Sequence, residues 1–247
     1  MQAEVRKAAG MICQARKTVA LTGAGISVES GIPDFRSAGG LWERFDPMEY
    51  GTIDAFRVNP EKVWRMLREM SAVISRARPN AGHDGLTRLQ RMGLLHTIIT
   101  QNIDSLHQEA GAVRVIEYHG NSRTLSCLWC GQQYRADELD GEQPPKCACG
   151  RILKPDVIFF GETIPEEPLR ESYKLASSCQ ILLVVGTSAE VIPASTIPYA
   201  AKMAKAKIIE INVKPTWLTA SLTDIFLEGE AGEVVTGLVH EVKRLMR

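Results

Sequence analysis

Apolar residues along the chain fall into two alternating patterns. Short β-type apolar runs predict strands, and the run at 181–185 is unalternating, as expected of a central parallel strand buried on both faces. The predicted strands are 18–21, 96–100, 113–118, 181–185 and 207–211. Apolar residues at helical spacing predict amphipathic helices over 2–16, 80–92 and 231–246. Strands that alternate with helices predict the α/β class, with a doubly wound, Rossmann-like parallel sheet.

Two stretches interrupt this alternation. Residues 39–80 include a helical pattern at 63–70 and are too long for a simple crossover, so we predict a helical insertion that covers the glycine-rich segment before it; an ordinary surface excursion is the alternative. Residues 121–155 hold paired cysteines and little hydrophobic periodicity. The predicted domains are a main domain of 1–38, 81–120 and 156–247, the insertion of 39–80, and a small module of 121–155.

Small or polar residues follow directly after the predicted strands. These residues are Gly23, Gln101, His119, Gly186 and Asn212. The carboxyl ends of parallel strands meet at one edge of a sheet, which is where ligands bind in open α/β folds. We therefore expect these positions to converge on one site.

Charge and composition narrow the class of protein. The 247 residues carry 29 Lys plus Arg and 29 Asp plus Glu, so no global field draws the chain to nucleic acid or to an anionic membrane. The charged, amphipathic N-terminal residues lack the apolar core of a signal peptide, and no apolar run is long enough to span a bilayer. We expect a soluble cytoplasmic protein without a membrane partner.

Four of the six cysteines form a metal-binding pattern. Cys127 and Cys130 are separated by two residues and Cys147 and Cys149 by one, and the loop-rich surroundings favour Zn²⁺ over redox pairs or free thiols. Four thiolates leave no open coordination position, so the predicted zinc is structural. The segment around them mixes basic and acidic residues, which does not indicate direct nucleic-acid binding and disfavours a zinc-ribbon nucleic-acid adaptor.

A glycine-rich segment runs from Thr22 to Arg36 and reads Thr-Gly-Ala-Gly-Ile-Ser-Val-Glu-Ser-Gly-Ile-Pro-Asp-Phe-Arg. It lies between a predicted strand and a predicted helix, and Gly23 and Gly25 leave the backbone bare enough for a pyrophosphate to approach. The general dinucleotide fingerprint requires a third glycine, where this chain has Val28. The incomplete fingerprint argues against a conventional NAD oxidoreductase.

The glycine-rich segment resembles the cofactor loop of the sirtuins, the NAD-dependent protein-lysine deacylases, in their short prokaryotic form. Further motifs match in the family's order: Thr100-Gln101-Asn102-Ile103-Asp104, His119-Gly120, the four cysteines, Phe160-Gly161-Glu162 and Gly186-Thr187-Ser188. The resemblance implies a deacetylase of acetylated-lysine proteins or peptides that consumes NAD and releases nicotinamide and O-acetyl-ADP-ribose. A protein mono-ADP-ribosyltransferase that uses the same site is the alternative.

The resemblance also implies a role for each matched residue. His119 is the expected general base, a task that suits histidine near neutral pH, and Asn102 is the second expected catalytic residue. The expected NAD-binding residues are Gly23, Ala24, Gly25, Ser27, Asp34, Phe35, Arg36, Gln101, Asn102, Asp104, Gly186, Thr187, Ser188, Asn212 and Ala231. The expected residues around the substrate peptide are Ile158, Phe160, Gly161, Glu162 and Val191. Gln101, Asn102 and Asp104 are also typical of turns and helix caps.

One departure from the family pattern concerns the acyl group. Sirtuins that prefer succinyl or malonyl groups carry a Tyr-x-x-Arg pair in the helical insertion, and the corresponding positions here are Leu67 and Met70. A carboxylate on the acyl group would then be buried without a partner, which is costly. We predict a preference for neutral acyl groups, with acetyl first. Structural roles are predicted for the remaining histidines, His83, His96, His107 and His240.

Overall fold

The computed structural model describes residues 2–34, 40–139 and 144–247, and within these ranges it contains nine strands and eleven α-helices. The strands are β1 (Thr18–Thr22), β2 (Thr97–Thr100), β3 (Val115–Glu117), β4 (Gly120–Ser126), β5 (Gln133–Arg135), β6 (Lys154–Val157), β7 (Ile181–Val185), β8 (Lys207–Asn212) and β9 (Ile225–Glu228). The α-helices are α1 (Gln2–Gln14), α2 (Leu41–Arg44), α3 (Pro47–Tyr50), α4 (Ile53–Val58), α5 (Pro60–Ile74), α6 (Ala81–Arg91), α7 (Leu106–Glu109), α8 (Glu166–Ala176), α9 (Thr196–Met203), α10 (Trp217–Ser221) and α11 (Ala231–Leu245). The five predicted strands and the helices predicted over 2–16, 80–92 and 231–246 are present, with ends displaced by two residues or fewer, and the helical pattern at 63–70 lies within α5.

Six of the described strands form one parallel sheet in the order β3-β2-β1-β7-β8-β9. The chain builds outward from β1 through β2 and β3, and then returns to add β7, β8 and β9 on the other side. Thr22 of β1 is level with Thr100 of β2 and with Val185 of β7. The strand order therefore reverses between β1 and β7, which is where doubly wound sheets bind ligands, and the predicted α/β class is confirmed.

Helices cover the faces of this parallel sheet. α1, α6 and α11 pack together on one face, where Ile12, Leu89 and Leu238 are fully buried against alternate strand residues. α6 and α11 approach closely because Gly85 faces Val235: a Cβ at position 85 would lie 2.5 Å from a methyl carbon of Val235. α8 and α9 lie outside this core; they pack against each other, and α9 contacts β7 and β8.

Some elements differ from the sequence prediction or were not predicted. The periodicity did not identify α8, α9 or β9, and β9 is a four-residue strand at the edge of the sheet, too short for a clear period. The helix expected after the glycines is a 3₁₀ helix, Ala24–Ser30. It is cut short at Gly31, whose φ of 85° is the left-handed conformation that closes a helix, and Pro33 follows two residues later.

Contacts divide the chain into two compact units: Met1–Ile32 with Arg78–Tyr118 and Pro165–Arg247, and Pro33–Ala77 with His119–Ile164. The first unit contains the parallel sheet. The second contains α2–α5 and an antiparallel sheet in the order β5-β4-β6. The division into three domains given above stays a prediction. No α-helix among the described residues is both long and apolar enough to cross a membrane.

Candidate functional site

The glycines after β1 cross the backbone after β7 at the reversal point of the sheet. The Gly23 N–H donates to the Val185 carbonyl at 3.0 Å, and the Gly25 N–H donates to the Gly186 carbonyl at 2.8 Å. A Cβ at position 23 would lie 2.7 Å from Thr187 Cβ, and one at position 25 would lie 2.8 Å from Gly186 Cα. Glycine is therefore required at both positions, and the crossing presents bare backbone of the kind that a pyrophosphate can approach.

Asn102, Ser27 and Asp104, predicted from distant parts of the sequence, form one hydrogen-bond network. Asn102 Nδ2 donates to the Gly23 carbonyl and to Ser27 Oγ, both at 3.1 Å. The Ser27 hydroxyl donates to Asp104 Oδ2 at 2.6 Å, and the Leu106 N–H donates to Asp104 Oδ1 at 2.9 Å. Both carboxylate oxygens of the buried Asp104 are therefore acceptors, which fixes Ser27 and the glycines before it.

The orientation of the Asn102 amide follows from this network. A carbonyl oxygen only accepts hydrogen bonds, so the amide atom that faces the Gly23 carbonyl is the nitrogen. The amide oxygen of the half-buried Asn102 has no hydrogen-bond partner among the described residues. Asn102 thus presents one acceptor at the carboxyl edge of the sheet, suited to a hydroxyl group.

Two buried histidines lie behind the Ser27 hydroxyl. His83 Nδ1 accepts from the Asn80 N–H at 3.3 Å, so its Nε2 carries the hydrogen, 3.5 Å from Ser27 Oγ. The ring of His107 lies edge-on to that of His83, with centroids 4.9 Å apart, and its Nε2 is 2.9 Å from Thr22 Oγ1. Burial lowers the pKa of His83 to about 4, partly offset by Asp104 and Asp84, and burial together with His83 lowers the pKa of His107 to about 3. Both rings are neutral at pH 7.

Thr187 connects three strand ends of the parallel sheet. Its hydroxyl oxygen accepts from Gln101 Nε2 at 3.1 Å and from the Ala189 N–H at 3.0 Å. Its carbonyl accepts from Asn212 Nδ2 at 3.0 Å. The residues predicted at the ends of β2, β7 and β8 therefore do converge. The half-buried Ser188 follows Thr187 in the chain.

The start of α11 is tied to the end of the 3₁₀ helix. The Gly232 N–H donates to Glu29 Oε2 at 2.6 Å, and a Cβ at position 232 would lie 2.5 Å from Glu29 Oε1. Ala231, the predicted adenine neighbour, is buried at the first position of α11, and Ala24 is half-buried at the first position of the 3₁₀ helix. Glu29 was not predicted, because an exposed glutamate in a short helix carries no sequence signal.

In the second unit, His119 is held where β4 and β6 meet. Its carbonyl accepts from the Ile158 N–H at 2.9 Å, and the next residue, Gly120, pairs with Val157. Gly120 has a φ of 73°, and a side chain there would clash with the Asp156 carbonyl. The half-buried His119 therefore lies at a rigid strand end beside Ile158, one of the residues expected around the substrate peptide.

Phe160 follows β6 and is held by the helical part of the same unit. Its N–H donates to the Gly51 carbonyl at 2.9 Å, and its carbonyl accepts from the Ile53 N–H at 3.0 Å. Its ring, 40% exposed, lies against Trp42 with centroids 6.2 Å apart. Gly161 has a φ of 87°, and among the described residues its backbone groups have no partner. This leaves an open backbone edge at Gly161.

The carboxylate of Glu162 is used within the second unit. Glu162 Oε2 accepts from the Phe159 N–H at 2.8 Å and lies 2.9 Å from Lys154 Nζ. Lys154 is 5% exposed; its amine also donates to the Pro155 and Val157 carbonyls. This buried ion pair was not predicted, because nothing local in the sequence marks Lys154 as buried.

The remaining predicted residues are placed as follows. The Asp34 carbonyl accepts from the Leu41 N–H at 3.2 Å in the second unit. Phe35 and Arg36 lie outside the described residues. Val191 belongs to the first unit, where it is half-buried and its carbonyl accepts from the Ser195 N–H at 2.9 Å.

The four cysteines of the predicted zinc site are brought together in the second unit. Their sulfur atoms all lie within 4.8 Å of one another, with Cys127 Sγ 3.6 Å from Cys149 Sγ and Cys130 Sγ 3.5 Å from Cys147 Sγ. A tetrahedral Zn²⁺ with bonds of about 2.3 Å separates its sulfur ligands by about 3.8 Å. A hydrogen bond from the Tyr134 hydroxyl lowers the pKa of Cys147 to about 6, which favours the thiolate that a metal binds. The set fits a structural zinc.

Comparison with known proteins gives consistent results over most of the chain. The sequence profile described as the Sir2 family matches residues 23–193. NAD-dependent protein deacylase 2 of Pyrobaculum aerophilum is 48% identical over 240 residues, which cover 97% of this chain and 96% of the relative. The NAD-dependent protein deacetylase of Caldivirga maquilingensis is 42% identical over 248 residues, which cover 98% and 95%.

Solved structures share the whole fold. One, described as the structural basis for the mechanism and regulation of Sir2 enzymes, has a TM-score of 0.93 at 44% identity and covers 99% of this chain and 100% of its own. A Sir2 homologue in complex with NAD has a TM-score of 0.91 at 40% identity, covering 98% and 94%. A Sir2 variant with a deacetylated p53 peptide and 3′-O-acetyl ADP-ribose has a TM-score of 0.90 at 32% identity, covering 95% and 97%. Because a family profile spans most of the chain and relatives match nearly all of it, the chain belongs to the Sir2 family.

Proposed function

We propose that this chain is an NAD-dependent protein-lysine deacylase that removes neutral acyl groups, acetyl first, and releases nicotinamide and O-acetyl-ADP-ribose. The observation that carries the proposal is the crossing of Gly23 and Gly25 with Gly186 at the reversal point of the sheet, beside the network of Asn102 and Asp104. It joins bare backbone, suited to a pyrophosphate, to polar groups suited to a ribose and a carboxamide. The names of the relatives, and the Sir2 structure with a deacetylated peptide and 3′-O-acetyl ADP-ribose, support this activity.

The cofactor-binding roles are assigned by position in the fold. The residues assigned to the phosphates and the adenosine are Gly23, Ala24, Gly25, Gly186, Thr187, Ser188, Asn212 and Ala231. Those assigned to the nicotinamide end are Ser27, Gln101, Asn102 and Asp104. Asp34, Phe35 and Arg36 are assigned by the family motif alone: Phe35 to shield the reacting sugar carbon from water, and Arg36 to position the cofactor.

His119 is proposed as the general base. When bound, NAD supplies the sugar carbon that the acyl oxygen attacks as the bond to nicotinamide breaks, and water completes acyl transfer to the ribose. His119 takes a proton from a ribose hydroxyl, and its backbone carbonyl is held by the Ile158 N–H. Asn102 offers its unpartnered amide oxygen to a hydroxyl of the sugar. Overall, acyl-lysine, NAD and water give free lysine, nicotinamide and O-acyl-ADP-ribose.

The peptide is proposed to bind by main-chain pairing, as an added strand. Gly161 in the second unit and Val191 in the first are each assigned to this pairing by the family motif, and Ile158 and Phe160 are assigned to the lysine stem and acyl group. Main-chain pairing tolerates many peptide sequences, which suits an enzyme that reads an acylated lysine more than its neighbours. We assign Glu162 a supporting role: its carboxylate binds Lys154 and the Phe159 N–H, and so holds the turn that carries Phe160 and Gly161. We also infer a cytoplasmic location, where the free cysteines stay reduced.

The test follows nicotinamide release and peptide mass together, with NAD and an acetyl-lysine peptide, for the wild type, His119→Ala and His240→Ala. His240 is exposed on α11 and serves as the matched control. We expect peptide-dependent nicotinamide release equal to acetyl loss, abolished in His119→Ala and retained in His240→Ala. A peptide that gains ADP-ribose instead would show a mono-ADP-ribosyltransferase. No release with acetyl or longer acyl peptides would refute the deacylase.

A further inference from the structure

A buried carboxylate lies in the parallel sheet, next to Asn212 but outside the residues assigned above. Glu210 is fully buried in β8, on the face opposite Ile209 and Ile211, which belong to the core under α11. Among the described residues no cationic side chain forms an ion pair with Glu210. Its oxygens accept instead from three threonine hydroxyls, of Thr216 at 2.5 Å, Thr219 at 2.8 Å and Thr223 at 2.7 Å.

Two of these hydroxyls, those of Thr216 and Thr219, also cap the start of α10. Thr216 Oγ1 accepts from the Leu218 N–H at 3.1 Å, and Thr219 Oγ1 accepts from the Thr216 N–H at 2.9 Å. Each hydroxyl has a single hydrogen, and Glu210 takes it, so the oxygen lone pairs are directed to the backbone. A buried carboxylate is costly to desolvate and an apolar residue would pack here without that cost. The hydrogen bonds to Glu210 instead fix the conformation of the segment after Asn212.

Asn212 and Trp217, at the two ends of that segment, both bind the turn after β7, which is formed by Gly186–Ala189. Trp217 Nε1 donates to the Ala189 carbonyl at 2.6 Å, and Asn212 Nδ2 donates to the Thr187 carbonyl at 3.0 Å. Ala189 has a φ of 51°, a left-handed conformation that a residue with a Cβ adopts only under constraint. The constraint comes from both sides: Trp217 holds the Ala189 carbonyl and Thr187 Oγ1 accepts from its N–H. A continuous series of contacts thus runs from Glu210 through Thr216 and Trp217 to the turn.

We propose that Glu210 is a positioning residue for cofactor binding: it fixes Trp217, which together with Asn212 holds the Gly186–Ala189 turn against the adenosine diphosphate portion of NAD. The inference rests on the proposed function, because that function assigns this turn to the cofactor. Replacement of Glu210 by Gln would put an amide –NH₂, a donor, where the threonine hydroxyls need an acceptor. A hydroxyl facing that –NH₂ would have to accept from it, and would then lose its hydrogen bond with the backbone. The cofactor should then lose affinity while the acyl peptide does not.

The experiment measures ADP-ribose binding by calorimetry, which needs no turnover, and KM for NAD and for acetyl peptide. Glu210→Gln is compared with Glu167→Gln, a control on the exposed start of α8, and Thr219→Val with Thr236→Val, a control on the exposed side of α11. We expect about a tenfold rise in Kd for ADP-ribose and in KM for NAD in Glu210→Gln, with KM for the peptide and the melting temperature close to wild type. Thr219→Val should shift in the same direction, and it decides the question if Glu210→Gln does not fold.

A double-mutant cycle tests the route through Trp217. Trp217→Phe removes the indole N–H, and if Glu210 acts through it, Glu210→Gln with Trp217→Phe should bind ADP-ribose no more weakly than the worse single variant. Unchanged ADP-ribose affinity, additive losses, or equal rises in both KM values with a large fall in melting temperature would each overturn the inference. A wild type that fails to bind ADP-ribose would instead refute the proposed function.

Discussion

The side-chain amine of Lys154 lies 2.9 Å from the carboxylate of Glu162, and Lys154 is almost completely buried. The amine also lies over the Phe159 ring, 4.6 Å from its centroid, and Glu162 accepts from the Phe159 N–H. The pair thereby closes the turn that carries Phe160 and Gly161. A buried ion pair of this kind fixes geometry more than it adds stability, because desolvation offsets much of the attraction.

Removing one partner of this pair should weaken both the second unit and peptide binding. Lys154→Met leaves the half-buried Glu162 carboxylate without its cation, so we expect the free energy of unfolding to fall by about 3 kcal/mol. We also expect KM for the acetyl peptide to rise by more than KM for NAD. Urea unfolding and steady-state kinetics measure the two effects. Lys62→Met, which breaks an ion pair with Glu49 at the surface, is the control and should change the free energy of unfolding far less, because solvent screens such a pair.

The double variant Lys154→Met with Glu162→Gln separates charge from geometry. It should regain part of the lost stability, since no unpaired charge remains, while the peptide KM stays high because the turn is still loosened. A peptide KM equal to that of the wild type in both variants would contradict the positioning role of the pair.

Zinc should be bound at one ion per chain and should hold the second unit together. Cys149→Ser removes one of four thiolate ligands, so we expect zinc content to fall and the unfolding transition to broaden or shift down, because metal binding energy is folding energy at such sites. Elemental analysis of the purified protein and thermal unfolding are the measurements. Cys13→Ser, on α1, serves as control and should keep one zinc. Full zinc content in Cys149→Ser would show that the four-thiolate assignment is wrong.

Stability should fall as the pH decreases from about 6.5 toward 4. The pKa values of His83 and His107 in the folded protein, about 4 and about 3, lie below the value of about 6.5 in an unfolded chain. The unfolded state therefore binds more protons in this range, so the stabilisation is complete above pH 6.5 and is lost as the pH falls. At pH 5 the free energy of unfolding should have fallen by about 2 kcal/mol for each histidine.

The matched variants for this prediction are His107→Gln and His240→Ala. His107→Gln keeps a polar atom near Thr22 Oγ1 but cannot titrate, so the difference in unfolding free energy between pH 7 and pH 5 should shrink by about 2 kcal/mol. His240 is exposed, and its replacement should leave that difference unchanged. Equal pH dependence in all three proteins would refute the prediction. Urea unfolding at the two pH values gives the measurement.

Gly25→Ala should weaken cofactor binding strongly. The added methyl group would lie 2.8 Å from both Gly186 Cα and the Gly186 carbonyl oxygen, and these are backbone atoms that cannot move aside as a flexible side chain could. We expect ADP-ribose affinity to fall more than about tenfold, with a lower melting temperature. Gly10→Ala is the control: it lies within α1 with open space around it, and alanine there should add up to about 1 kcal/mol of stability. If Gly25→Ala binds ADP-ribose with wild-type affinity, the backbone crossing is not part of the cofactor site.

The acyl preference can be tested with groups of equal length. Leu67 is buried and Met70 is half-buried on α5, so neither offers a charge to an acyl carboxylate, whereas Arg65 and Arg68 are exposed. We expect kcat/KM for a butyryl-lysine peptide to exceed that for succinyl-lysine by more than about tenfold, since an unpaired buried carboxylate is costly. Comparable rates for the two peptides would contradict the prediction. Mass spectrometry of the peptides follows both reactions.

The sequence by itself determined the parallel sheet, the strand-end positions of the candidate site and the four cysteines of the predicted zinc site. Buried parallel strands such as Ile181–Val185 appear as local apolar runs, and a metal site such as Cys127-x-x-Cys130 depends on spacing within a few residues. Because the carboxyl ends of parallel strands lie at one edge of the sheet, Gln101 and Asn212 could be predicted to lie near one another. The roles given to His119, Phe35 and Arg36 stay predictions.

Only the tertiary structure decided which polar residues support that site. Glu210 stands in the sequence Ile-Ile-Glu-Ile-Asn, where the alternation is equally typical of an exposed glutamate, and Lys154 resembles any surface lysine. His83 and His107 could be placed on helices, but not behind Ser27. Burial and hydrogen-bond partners are properties of segments that lie far apart in the chain and meet only on folding, so no local pattern specifies them.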